Sequence, residues 1–261
     1  MRLLLYPDGP EHRRWQIATL RHYAEDAGVQ VVRDPMGVFD VAVYFSFHRT
    51  FLPLDDALLR FKQHGVPMIN IGCWDISKSC NEATMLQAAG YNTMVDPAVS
   101  PVFLEKNEEQ GRHDIRVCDE FNGKRPGYIY VKRLNNIIDG LAETYRVYVF
   151  QGEPVLVGKN WKREAARFGR SSHHVRRAYT RDASEFFSAD ELMLIRRYCE
   201  LYPVEFTELD VVRDLDDGRI YVVDNNNMPA MLESVRGGLE KLGHWRVLCD
   251  AFKNMLQAYR V

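Results

Sequence analysis

The sequence lacks the features that mark several broad classes of protein. Its five cysteines lie far apart and form no C-x-x-C pair, which disfavours a disulfide framework and a structural zinc site. No window approaches the roughly twenty apolar residues of a membrane-spanning helix. The short apolar run at the N-terminus is followed at once by Asp8, so it does not resemble a signal peptide. These absences predict a cytoplasmic protein with no membrane partner.

An excess of charge of one sign is also missing. The formal net charge is −2, so no overall basic field favours nucleic acid as a partner. The turn after the first apolar run, from Tyr6 to Pro10, lacks the G-x-G-x-x-G pattern of dinucleotide-binding sites. Partners must therefore be inferred from local groups of residues.

The first hundred residues alternate between strand-like and helix-like patterns. Strands are expected at 3–6, 29–32, 41–47 and 66–71, and helices from Pro10 to Gly28 and over 54–61. Such alternation predicts a parallel sheet with crossover helices. We therefore expect an α/β protein that begins with a small open α/β domain over residues 1–98.

The rest of the chain shows three helix patterns. Ser79 with Glu82, and Ser188 with Glu191, have the spacing of capping boxes, and the first of these helices is expected to end at Gly90. A closing helix is predicted by apolar residues spaced at threes and fours, namely Leu239, Leu242, Trp245, Leu248, Phe252, Met255, Leu256 and Tyr259.

Residues 206–230 carry the most informative pattern in the chain, FTELDVVRDLDDGRIYVVDNNNMPA. Two apolar runs, at 209–212 and 220–223, flank a polar turn that contains Asp217-Gly218. This composition predicts a β-hairpin.

Acidic residues in this hairpin suggest a metal site. Asp210 interrupts the first apolar run, and Asp224 ends the second, two residues before Asn226. Carboxylates on neighbouring strands, with an amide nearby, can converge on one magnesium ion that also binds substrate phosphates. The alternative is an ordinary hairpin whose Asp and Asn side chains cap turns.

The hairpin resembles the end of the ATP-grasp superfamily's nucleotide-binding domain. In that superfamily an aspartate on one strand precedes a second strand that ends in acid-x-Asn-x-x-Pro. Asp210 and the run from Asp224 to Pro229 stand in those places, although Asp224 replaces the usual glutamate and has a shorter reach. The resemblance covers residues 75–230 and implies ATP and Mg²⁺ as cofactors, with Asp210, Asp224 and Asn226 as metal ligands.

The same resemblance implies a division of the C-terminal part, which would be α+β in character. An ATP-grasp domain is expected over residues 99–261, with a small lobe at about 99–135 and a large lobe at about 136–261. The nucleotide would lie between these two lobes.

Lysines are implied at the phosphates. Lys78 stands where the superfamily often has a lysine, just before the helix that enters the nucleotide domain, and Lys106 lies near the end of a predicted strand. The loop that follows Lys106 contains only Gly111, whereas most members have a glycine-rich loop there. Lys132 is a competing candidate for the phosphate-binding lysine. However, a strand begins soon after Lys132, as expected after the hinge that contacts adenine, so Lys106 is preferred.

The resemblance also implies adenine and ribose contacts. Backbone groups of Val131, Lys132 and Leu134 would bind the edge of the base, and Glu143 would reach the ribose hydroxyls.

Arg146 and Lys106 are the implied catalytic residues. The superfamily often has an arginine near the phosphate or substrate, where Arg146 begins an alternating strand. The alternative is that Arg146 only bridges to an acid such as Asp210.

Residues 159–181 form a basic segment in a slightly acidic chain. Only Glu164 opposes its positive charges, so it concentrates positive potential where an anion can dock. In the superfamily this part faces the acceptor substrate. The candidate anion-binding residues are Lys159, Arg163, Arg176 and Arg177. The alternative is a solvated, partly helical surface loop.

Together these resemblances imply an Mg²⁺-dependent ligase. It would activate a carboxylate as an acyl phosphate and couple it to an amine, so its partners would be small-molecule acid and amine substrates. A kinase acting on a small molecule and a non-catalytic nucleotide-binding module remain alternatives. A nucleotide-sugar transferase is disfavoured by the lysine-bearing strand and the Asn-x-x-Pro ending. Homodimerisation is left open.

Overall fold

The computed structural model describes residues 1–6, 21–22, 24–44, 56–70, 77–108, 114–168, 174–202, 204–226 and 243–259. Several expectations lie wholly or partly outside these residues, among them the start of the helix at Pro10, the loop at Gly111, the motif's end at Pro229, and Leu239 and Leu242 of the closing helix. The described residues form three sheets. None of the helices in this part of the chain is long and apolar enough to cross a membrane.

The first sheet is parallel, as predicted. Its strands are β1 (Arg2–Tyr6), β2 (Gln30–Val32), β3 (Val41–Tyr44) and β4 (Met68–Ile69), in the order β2-β1-β3-β4. Helix α1 (Asp56–Gln63) connects β3 to β4. Leu3, Leu4 and Val43 are fully buried, because a parallel sheet is covered on both faces.

A small antiparallel sheet follows helix α2 (Lys78–Ala89). It contains β5 (Phe103–Asn107), β6 (Ile115–Cys118) and β7 (Tyr128–Lys132), in the order β6-β5-β7. Strands β5 and β7 match the sequence prediction, whereas β6 was not anticipated.

The third sheet is the largest, and its described pairings are antiparallel. Its order is β11-β10-β9-β12-β13, and β8 pairs with β9. The strands are β8 (Ile137–Ile138), β9 (Leu141–Phe150), β10 (Glu153–Arg163), β11 (His174–Thr180), β12 (Phe206–Arg213) and β13 (Ile220–Asn226). The predicted hairpin is β12–β13. Helix α3 (Ala189–Leu201) lies between β11 and β12 in the chain, and α4 (His244–Gln257) follows β13. Residues 21–22 and 24–26 are also helical, within the helix predicted to end at Gly28.

Each face of the large sheet has its own core. On one face, Val147 and Leu209 pack with side chains of α2 and α3 such as Met85 and Tyr198. On the other face, side chains of β9, β10 and β12 pack with α4 and with the parallel sheet. This alternation follows from the period of two along a strand, and it joins the parallel sheet to the large sheet through one continuous core.

The two predicted capping boxes have different outcomes. The box of Ser188 and Glu191 is confirmed, with both of its hydrogen bonds present. The box at Ser79 is wrong, because α2 is capped by Ser77, whose hydroxyl accepts from the amide of Cys80. Glu82 instead accepts hydrogen bonds from the amide and hydroxyl of Thr93. Gly90 ends α2 in the left-handed conformation, as expected.

Asn70 connects the parallel sheet to the start of β12. Its side-chain oxygen accepts from the amides of Glu205 and Phe206, at 3.0 Å each, and its Nδ2 donates to the carbonyl of Phe206 at 2.8 Å. The residue is fully buried, and its φ of 61° is in the left-handed region. Asparagine tolerates that region better than most side chains.

We expect Asn70→Ala to lower the free energy of unfolding by roughly 3 kcal/mol, because it leaves buried amides without an acceptor. Asn70→Gly should recover little of this lost free energy of unfolding, since glycine relieves only the backbone strain. Ser188→Ala, which removes one exposed cap, should cost about 1 kcal/mol. Urea unfolding followed by circular dichroism measures all three. A change below about 0.5 kcal/mol for Asn70→Ala would contradict a linking role.

Candidate active site

One face of the large sheet changes from apolar to ionic along β12. Phe206, Glu208 and Asp210 point to this face in turn, because alternate side chains of a strand share a face. Phe206 and Glu208 are buried, whereas the side chain of Asp210 is 30% exposed. The ionic groups therefore lie next to the apolar core, and Glu208, the one nearest Phe206, is buried in it.

Asp210 and Asp224 are direct partners in the pairing of β12 with β13, and Glu208 is opposite Asn226. Directly opposed residues of an antiparallel pair share a face, with Cβ atoms about 4.5–5.5 Å apart. The structure thus brings the two aspartates to one place, which is the geometry that a shared cation requires. Asn226 lies on the same face, one pair further along.

Arg146 is held by Asp210 and approaches Glu208. It is opposite Asp210 on the other side of β12. Its Nε donates to Oδ1 of Asp210 at 2.9 Å, and its Nη2 donates to Oδ2 at 3.1 Å. Its Nη1 is 3.5 Å from Oε2 of Glu208. Burial acts to lower the pKa of Arg146, but the charges of Asp210 and Glu208 outweigh it and raise this pKa well above its usual value.

Lys78 provides the corresponding cation for Asp224. The Lys78 ammonium forms an ion pair with Oδ1 of Asp224. One turn further along α2, Nδ2 of Asn81 donates to the carbonyl of Val222 at 2.8 Å, and its Oδ1 accepts from the hydroxyl of Tyr198 at 2.6 Å. These buried bonds fix α2 against β13, which places Lys78 beside Asp224.

Lys106 reaches the same strand from the small sheet. Its Nζ donates to the carbonyl of Val223 at 2.8 Å. Burial and the nearby charge of Lys78 lower the pKa of Lys106 to about 8, although Asp224 acts in the opposite direction. Lys78 and Lys106 therefore bring two cations to one end of the aspartate pair.

Lys132 is engaged differently from Lys106. Its ammonium pairs with Asp214 and Asp217 and contacts the hydroxyl of Tyr221. Burial alone would lower the pKa of Lys132, but these hydrogen bonds raise it. Two carboxylates thus hold Lys132 at the turn of the hairpin.

The predicted adenine-binding backbone also has partners within the chain. The amide of Lys132 donates to the carbonyl of Thr93 at 2.7 Å, and the carbonyl of Leu134 accepts from Nη2 of Arg167 at 2.6 Å. Val131 forms a bridge with Met94 and has a buried side chain. The proposed contacts of Val131, Lys132 and Leu134 with the edge of adenine stay predictions.

Glu143 and Lys159 lie on the opposite face of the large sheet from Arg146. Lys159 pairs with Glu143 and lies over the rings of Tyr145 and Trp161. The guanidinium of Arg176 also lies over Trp161, 4.8 Å from the centroid of its ring. The structure therefore does not bring Glu143, Lys159 and Arg176 to the aspartate pair.

The basic segment is largely part of the sheet. Lys159 and Arg163 belong to β10, whereas Arg176 and Arg177 belong to β11, so the alternative of a partly helical loop is wrong for these residues. The middle of the segment, residues 169–173, lies outside the described part. Arg163 is exposed at the end of β10.

Arg177 lies on the face of Arg146, and Lys162 joins it there. Arg177 is opposite Asn160, and its Nε donates to Nδ1 of His174 at 2.6 Å. Burial lowers the pKa of Lys162. The charge of Asp210 acts to raise this pKa, whereas the charges of Arg146 and Arg177 lower it further. Sequence analysis did not select Lys162 or Glu208. Counting alternate positions from Asp210 along β12 would have found Glu208, whereas Lys162 follows a bulge after Trp161 in another strand and could not be found in this way.

No group of three or more His, Cys, Asp or Glu side chains in the described part forms a ready-made metal site. Magnesium commonly uses only one or two protein carboxylates and completes its shell with phosphates and water. The donor set of Asp210, Asp224 and Asn226 fits that chemistry, and the metal stays a prediction.

We expect Lys106 to titrate near pH 8, as measured by NMR of its side-chain Nζ and Cε. Because its pKa is lower when folded than when unfolded, its contribution to stability increases as the pH rises from about 8 towards the ordinary lysine value of about 10.4. Lys78→Met should raise the pKa of Lys106, since it removes a neighbouring positive charge.

Lys132 is the internal control in the same spectra, because its pKa is shifted in the opposite direction. A pKa for Lys106 at or above that of ordinary lysines would show that its ammonium is not buried against β13 as described.

No protein-family model and no curated protein matches the sequence. Solved structures match over nearly the whole chain. The ATP-grasp ligase PsnB, complexed with a minimal precursor, is 12% identical with a TM-score of 0.62, and the match covers 98% of each chain. D-alanine–D-alanine ligase from Bacillus anthracis is 13% identical with a TM-score of 0.62, covering 99% of this chain and 98% of that one.

A Chryseobacterium gregarium RiPP-associated ATP-grasp ligase, in complex with ADP and a leader and core peptide, is also similar. It is 10% identical with a TM-score of 0.53, and the match covers 100% of this chain and 97% of that one. At identities this low, the likeness concerns the fold alone.

Proposed function

Because the chain has the ATP-grasp fold, we propose that it is an ATP-dependent ligase that joins a carboxylic acid to an amine or a similar nucleophile. The observation that carries this proposal is the pairing of Asp210 with Asp224 on one face of the large sheet. Arg146, Lys78 and Lys106 surround this pair with positive charge.

The ligands would be held by groups on this face. Asp210, Asp224 and Asn226 would bind Mg²⁺, which supplies neutralisation of the phosphate charge. Lys78 and Lys106 would bind the phosphates as point charges on flexible stems. Related structures support these ligands, since PsnB is complexed with Mg and ADP and the Bacillus anthracis ligase with ATP.

The proposed reaction has two steps. An oxygen of the acid's carboxylate attacks the γ-phosphorus of ATP, and ADP leaves. The amine nitrogen then attacks the carbonyl carbon of the acyl phosphate, phosphate leaves, and the nitrogen loses a proton. Arg146 would stabilise the negative charge of the transferring phosphoryl group, since fixed cations in a site of low dielectric constant act strongly on developing charge.

The acid substrate would dock beside β11. Lys162 and Arg177 present positive charge on the same face as Arg146, so they replace Lys159 and Arg176 as the proposed acceptor-binding cations. We propose a small carboxylic acid and an amine as substrates. A carboxylate within a peptide is the second candidate, because PsnB and the Chryseobacterium ligase are both complexed with peptides.

Purified protein with ATP and Mg²⁺ should release ADP and phosphate in the presence of an acid and an amine from a substrate panel. With acid labelled by ¹⁸O in its carboxylate, one ¹⁸O should appear in the released phosphate, because that oxygen bridges carbon and phosphorus in the acyl phosphate. Mass spectrometry of the phosphate measures the transfer.

Asp224→Asn should reduce turnover by roughly 100-fold or more if Asp224 holds the metal. Asp216→Asn, at the exposed turn of the hairpin, is the matched control and should leave turnover unchanged. A phosphorylated product without free phosphate would identify a kinase instead. ATP binding without ADP release for any acceptor would indicate a non-catalytic module, and no ATP binding at millimolar concentration would refute the proposal.

A further inference from the structure

Glu208 is a buried acid that the proposed ligand set does not use. Its side chain has no exposed surface, and it stands between Phe206 in the core and Asp210 in the site. Its backbone pairs with Asn226 on one side and Tyr148 on the other. The nearest described cation is the guanidinium of Arg146, whose Nη1 is 3.5 Å from Oε2 of Glu208.

A carboxylate in this position is costly for the fold. Moving an ion out of water costs several kcal/mol even after relaxation, unless a partner compensates it. An apolar side chain at position 208 would extend the apolar stripe of Phe206 and avoid that cost. The hairpin alone therefore does not account for Glu208.

Arg146 divides its nitrogens between two acids. Nε and Nη2 form a two-bond pair with Asp210, whereas Nη1 points towards Glu208. In the proposed ATP–Mg²⁺ complex the oxygens of Asp210 would turn to the metal, and this two-bond pair would be lost. Without a second acid, the partly buried guanidinium would then have no carboxylate partner and would depend on the phosphates alone, which is unfavourable.

We propose that Glu208 is a positioning residue that retains Arg146 in the site when Asp210 binds a divalent cation. Glu208 gives the guanidinium a second carboxylate on the core side, so Asp210 can exchange partners at low cost. This inference rests on the proposed function, because it assumes a metal at Asp210.

The test measures binding of Mn²⁺ to the protein in the presence of ADP, by electron paramagnetic resonance of free Mn²⁺. We expect Glu208→Gln to weaken Mn²⁺ binding about 10-fold or more, because Arg146 then competes with the metal for Asp210. In an Arg146→Gln background the same substitution should have no such effect. A purely structural role would weaken binding equally in both backgrounds.

Glu191→Gln is the matched control. Glu191 accepts hydrogen bonds from Arg213, which also belongs to β12 but lies away from the aspartate pair. This variant also removes a carboxylate that faces a partly buried arginine, and it should leave Mn²⁺ affinity unchanged. Urea unfolding of each variant separates lost stability from lost binding.

The outcomes distinguish this inference from the proposed function. Failure of the unmodified protein to bind ADP and Mn²⁺ would refute the proposed function and, with it, this inference. Normal binding by the unmodified protein and unchanged binding by Glu208→Gln would overturn the role of Glu208 alone. If Glu208→Gln does not fold, Glu208→Asp replaces it, since the shorter acid should weaken binding by a smaller factor. Unchanged affinity in that variant would overturn the inference equally.

Discussion

Two aspartates that face each other across neighbouring strands are the constraint on which this site depends. Like charges at directly opposed positions destabilise an antiparallel pair, so Asp210 and Asp224 each need a counter-charge. The chain provides one cation from the sheet, Arg146, and one from a helix, Lys78. The aspartate pair therefore depends on two packing contacts. The pairing of β9 with β12 places Arg146, and the packing of α2 against β13 places Lys78.

Buried hydrogen bonds beneath the site keep these cations in place. Asn81 joins α2 to the backbone of β13, and Tyr198 of α3 donates to Asn81. Asn225, on the other face from Asp224, accepts from the hydroxyl of Thr207 at 2.5 Å. Polar groups in a core are costly unless each has a partner, and satisfied networks specify one arrangement. The position of Lys78 is thus determined by residues of three different elements.

The resemblance of residues 206–230 to the ATP-grasp superfamily implied the fold. Apolar periodicity and turn composition, which are local properties, predicted the parallel first sheet and the hairpin. The sequence did not predict which side chains share a face with Arg146. Faces depend on strand register, and bulges between Asp210 and Val211 and between Trp161 and Lys162 shift that register. The start of α2 was misplaced for a similar reason, since distant groups bind Glu82 and Ser79.

The ion pairs around the two aspartates bear on how a nucleotide would bind. In the proposed complex, Asp210 and Asp224 would hold Mg²⁺, so Arg146 and Lys78 would become available to the phosphates of ATP. Arg146 and Lys78, which pair with the two aspartates, are therefore the same groups that would bind the phosphates. Such preorganisation lowers the cost of binding, because the charged groups are already partly buried and are held by the surrounding sheet and helix.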